Sequence, residues 1–145
     1  MTHEDAGHYS AKHASGAKPD PRIAQEIEGK AVDGSITCAA AHEIAGELGV
    51  SSAKVGIAID LLEIRVSRCQ LGLFGYGPQK KSIKPAQSVA PELAKTIMGT
   101  LVNDRIPCLA CWEIAKQFGI ARIDVAAACE ALEVKISSCQ LGSFR

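Results

Sequence analysis

Four of the six cysteines, Cys38, Cys69, Cys108 and Cys139, form two pairs with the same separation of 31 residues. The first member of each pair opens a predicted helix, where the helix dipole lowers a thiol pKa and raises its reactivity. The second ends a predicted strand that runs beside the residues preceding that helix. This arrangement suits a redox couple or a soft-metal site, because thiolates bind such metals well. Its alternative is plain packing, since cysteine often serves as a small buried apolar side chain. Cys111 and Cys129 replace Ala41 and Ile59 on buried stripes and read as core fillers. A zinc site built from Cys108, Cys111, Cys129 and Cys139 lacks the paired CxxC…CxxC spacing of structural zinc. His3, His8 and His13 fall five apart, which does not align them on one helical face. No paired carboxylate, activated serine or phosphate-cradling glycine motif is present, so a non-enzymatic protein without a cofactor is expected.

The cysteine pairs recur because most of the chain does. Residues 21–74 align with residues 91–144 without a gap over 54 positions, and 22 of these are identical. Both copies end in Cys-Gln-Leu-Gly-x-Phe. A fixed repeat sets the architecture before any local reading. A copy of this size buries only about 60% of its unfolded surface. The copies are therefore expected to pack on each other or on a second chain.

Local signals then give the elements. Asp20 and Pro21 are a helix start, and Ile23, Ile27 and Ala31 supply one apolar face. Ala41, Ile44, Ala45 and Leu48 form the stripe of a second helix, which Gly49 ends. A third helix carries Val55, Ala58, Ile59 and Leu62. Ile64–Cys69 alternates like a half-buried strand. The second copy repeats this order from Pro91. The expected fold class is mainly α with short β strands, in two tandem domains. A flexible N-terminal tail is expected over 1–20, a first domain over 21–85, a linker over 86–90 and a second domain over 91–145.

The segments EIAGELGVSSAKVGIAIDLLEIRV and EIAKQFGIARIDVAAACEALEVKI resemble the helix-turn-helix of the winged-helix superfamily. The resemblance places Ala45 and Ala115 at helix crossings and Gly49 and Gly119 at the turns. It makes Ser51–Leu62 and Ala121–Leu132 the recognition helices. It also implies a wing over residues 70–84, with Ser82–Lys84 as its returning strand. The second copy has no comparable wing.

Nucleic-acid contact would then fall to Ser51, Ser52, Lys54 and Arg122 on the recognition helices. Arg65, Arg68, Lys80, Lys81 and Lys84 would grip phosphates from the strand and wing. The outward faces are otherwise small and apolar: Gly56 and Ile57 in the first copy, Ile123, Ala126 and Ala127 in the second. Such faces suit close packing against protein better than a DNA groove.

Charge adds a restraint. The chain has 16 basic and 16 acidic residues, so it is not held to nucleic acid mainly by net charge. No apolar run reaches the ~18 residues of a membrane span, and a signal-peptide core is missing from the first thirty residues. A cytoplasmic location is expected. The first functional expectation is a DNA-binding regulator. The alternatives are a protein-interaction module or homo-oligomer using the apolar helix faces, and a thiol or metal sensor using the cysteine pairs.

Overall fold

A computed structural model describes residues 9–14, 16–76 and 81–144. The chain is mainly helical, with short strands. The first repeat contains α1 (Pro21–Lys30), β1 (Ser35–Thr37), α2 (Cys38–Leu48), α3 (Ser52–Leu61) and β2 (Arg65–Ser67). The second contains α4 (Pro91–Gly99), β3 (Arg105–Pro107), α5 (Cys108–Phe118), α6 (Arg122–Ala131) and β4 (Lys135–Ser137). A single-turn 3₁₀ helix, Tyr9–Lys12, precedes them.

The helix ends follow local chemistry. Asp20 caps α1 by accepting the Arg22 N–H at 2.9 Å, and that bond holds its carboxyl below the usual value. Thr37 caps α2 through its Oγ1, 3.1 Å from the Ala40 nitrogen. Pro107 takes the equivalent place before α5 and offers no side-chain cap. Thr37→Ala is therefore expected to cost about 1 kcal/mol, read as a lower midpoint in urea with an unchanged slope. Gly49 and Gly119 both close their helices at φ 64°, the left-handed region. Glycine enters it without the strain of a Cβ.

Each repeat folds around isoleucine and valine. Ile23, Ile27, Ile36, Ile44, Val55 and Ile59 are buried in the first, while Ile97, Ile106, Val125 and the two core cysteines serve in the second. β1 pairs directly with β2 in parallel, Ile36 opposite Val66, and β3 pairs with β4 in the same way, Ile106 opposite Ile136. The α2–α3 and α5–α6 hairpins provide the long crossover that a parallel pair requires.

The expected wing is corrected here. Among the described residues of 70–84 there is no strand. Gly72, at φ 73°, turns the chain, and its carbonyl accepts the N–H groups of Ser82 at 2.9 Å and Ile83 at 3.3 Å. Ser82–Lys84 thus meets one carbonyl rather than a strand edge.

The domain boundaries also differ from the expected ones. The chain divides into two compact units, one running to Cys69 and including Gln140–Phe144, the other running from Gln70 to Cys139. The Gln-Leu-Gly-x-Phe segment that follows each repeat's last strand therefore belongs to the unit built on the other repeat.

Candidate interaction surface

The third helix of each repeat is where the expected functional residues were concentrated. In unit 1, Ser51 caps α3 through its Oγ, 3.2 Å from the Lys54 nitrogen. Ser52 lies 3.0 Å from His42 Nδ1, so its hydroxyl is committed within the fold. Lys54 is exposed and Ile57 is 42% exposed. Gly56, read from sequence as outward, is buried. A Cβ placed there would overlap the backbone of Leu141. The absence of a side chain lets the exchanged segment lie directly on the helix.

The far end of α3 holds the N-terminal segment. Glu63, just past α3, accepts the backbone N–H of Tyr9 at 3.0 Å and of Ser10 at 2.7 Å. Asp60 lies 3.0 Å from Lys12 Nζ and 2.9 Å from His13 Nε2. Lys12 also donates to the Gly142 carbonyl at 3.2 Å. Tyr9 is only 4% exposed. Residues 9–13 are thus a docked strap, which corrects the expectation of a flexible tail there. His3 and His8 lie outside the described residues.

Unit 2 treats α6 in a related way. Arg122 is half-buried: its guanidinium sits 3.4 Å above the Trp112 ring centroid and donates to Gln70 Oε1 at 3.3 Å. Cation–π stacking of this kind holds the guanidinium against the fold. Gly72 lies so near Ile123 that a Cβ would stand 3.0 Å from its Cδ1. Ala126 is fully buried and Ala127 half-buried, with the Ala127 carbonyl accepting the Ala86 N–H at 3.0 Å. Ala126, like Gly56, was expected to face outward. Gly56 is bare because the Leu141 backbone lies on it.

The basic residues do not form the expected wing. Lys81 pairs with Glu130 at 2.7 Å. Arg65, Arg68 and Lys84 are exposed, and Lys80 lies outside the described residues.

Of the cysteines, Cys38, Cys69, Cys108, Cys111 and Cys129 are buried and Cys139 is half-buried. Among the described residues, no three His, Cys, Asp or Glu side chains converge in a group able to hold a metal. The four-cysteine zinc set is therefore not assembled. Cys129 is held below the usual thiol range by a hydrogen bond with Cys111, against opposing desolvation. These two thiols meet in the core, at the positions of Ala41 and Ile59.

Unit 2 also has a groove of 640 Å³ along α6 and the start of β4. Half-buried Leu73, Val134 and Ile136 give it apolar surface, with Glu130 and Glu133 beside them. Sequence reasoning set Asp60 and Glu130 at outward helix positions, where carboxylates are repelled by phosphates, and gave Glu63 and Glu133 no role. Their recurrence in both repeats was the available signal.

No family model, curated protein or solved structure matches the chain.

Proposed function

We propose that the chain is a non-enzymatic protein-interaction module, a tandem winged-helix-like derivative whose third helices hold protein segments instead of DNA. One observation carries this reading: both third helices are covered by peptide. On α3 these are the Leu141 backbone and the Tyr9–His13 strap, and on α6 they are Gln70 and Gly72. A groove-reading helix needs a free face with outward donors. Here Gly56, Asp60 and Ala126 are buried, and Arg122 is stacked on Trp112.

The DNA-binding reading retains one favourable observation, the exposure of Lys54, Arg65, Arg68 and Lys84. Titration of a fluorescently labelled DNA duplex separates the two. The interaction module is expected to show no saturable anisotropy change at a physiological ionic strength of about 0.15 M. Saturable binding that falls steeply with salt and weakens in Arg65→Ala and Arg68→Ala would overturn this reading in favour of DNA.

A further inference from the structure

Cys111 on α5 and Cys129 on α6 are fully buried in unit 2, and their thiols share a hydrogen bond. That bond places the two sulfurs in contact, the approach from which a disulfide closes. In unit 1 the same two positions hold Ala41 and Ile59, equally buried. The repeat thus packs this helix pair without sulfur, and packing alone does not call for cysteine on both sides of the contact. Among the described residues, no third His, Cys, Asp or Glu joins the pair in a metal-holding group.

We propose that Cys111 and Cys129 form a reversible disulfide that locks the α5–α6 hairpin of unit 2 when the protein meets hydrogen peroxide or a small alkyl hydroperoxide. Unit 1, with alanine and isoleucine at these positions, has no such lock. Cys129 is the attacking sulfur: the Cys111 hydrogen bond holds it below the usual thiol range, against desolvation and the charge of Glu130, and the thiolate is the nucleophilic form. Its attack forms an S–O bond and breaks the peroxide O–O bond. The leaving oxygen takes up the proton that the thiol gave and departs as water or an alcohol. The Cys111 sulfur then attacks the sulfenic acid on Cys129, forming the S–S bond and breaking the S–O bond, and its proton leaves with the hydroxide as a second water. The two thiols lose two electrons in all, and the peroxide gains them.

Burial sets how the lock operates. Neither sulfur reaches solvent, so the oxidant enters only when the hairpin opens locally. A small peroxide is therefore favoured over a bulky disulfide such as oxidised glutathione. Once formed, the bond constrains the opened state and suppresses the same opening that admitted the oxidant. The lock does not depend on what the third helices bind.

The test treats the full chain with hydrogen peroxide, blocks the remaining thiols with iodoacetamide in denaturant, and maps tryptic peptides by mass spectrometry. The expected product joins peptide 106–116 to peptide 123–135, with fragmentation placing the bond at Cys111 and dithiothreitol releasing it. Cys108→Ser should keep this product. Amide hydrogen exchange across α5 and α6 should become on the order of a hundredfold slower in the oxidised chain, with α2 and α3 unchanged. A double variant carrying unit 1's residues, Cys111→Ala with Cys129→Ile, is expected to fold and to show neither the product nor the slower exchange. The proposal is overturned if no intramolecular disulfide forms, if the bond joins a different pair of the six cysteines, or if exchange in α5 and α6 is unchanged once the Cys111–Cys129 bond is present. The same slowing in the double variant also overturns it. Faster closure with oxidised glutathione than with peroxide would overturn the assignment of the oxidant.

Discussion

Gly56→Ala is expected to destabilise the protein by about 3 kcal/mol, although alanine is ordinarily the better helix former. The added Cβ would overlap the carbonyl, carbonyl carbon and Cα of Leu141. Backbone atoms cannot rotate aside as the end of a side chain can, so either α3 or the exchanged segment must move. For a chain of this size, such a loss lowers Tm by roughly 6–12 °C. Gly46→Ala is the internal control. Gly46 is exposed within α2, with open space around a Cβ, and the same change there should stabilise by about 0.5–1 kcal/mol. Calorimetry on the two variants should give shifts of opposite sign. If Gly56→Ala melts at or above the parent temperature, Leu141 does not lie on α3.

The second large effect separates two leucines that follow identical sequence. Leu71 is 0% and Leu141 3% exposed, so truncation of either to alanine is expected to cost about 3 kcal/mol. What distinguishes them is where the damage falls. Leu71 follows β2 but belongs to unit 2, and Leu141 follows β4 but belongs to unit 1. Leu71→Ala should therefore speed amide hydrogen exchange most in α4, α5 and α6. Leu141→Ala should do so most in α1, α2 and α3. Exchange reports local opening unit by unit, so the pattern discriminates where a global melting curve does not. Faster exchange in each leucine's own repeat would refute the exchanged arrangement.

That exchange also marks the limit of what sequence could reveal. The helices were legible because their stripes, Asp20 cap and glycine stops are local signals, and the isoleucine core follows from the same 3.6-residue period. Gln70-Leu71-Gly72 and Gln140-Leu141-Gly142 are identical, so no property of either states which third helix it covers. Proximity along the chain assigns each to its own repeat, and that assignment produced the expected wing. The small outward residues Gly56 and Ala126 were legible as surfaces for close packing, but not what would pack there. Tyr9–Lys12 escaped for another reason. A single turn has no periodicity, and its attachment depends on Asp60 and Glu63 more than forty residues away. Arg122 was legible as a cation, yet only the fold shows Trp112 beneath it.

The crossing of the chain at Cys69–Gln70 and its return at Cys139–Gln140 also govern the order in which the protein is completed. During synthesis the first repeat leaves the ribosome with α1, α2 and α3 made but with Gly56 still uncovered. Residues 70–139 of unit 2 are all translated before Leu141. The unit that begins first is therefore finished last, across a separation of 85 residues between Gly56 and Leu141. Closing so long a loop is a slow, late event on entropic grounds. Until then α3 offers its bare glycine face to any segment able to lie on it.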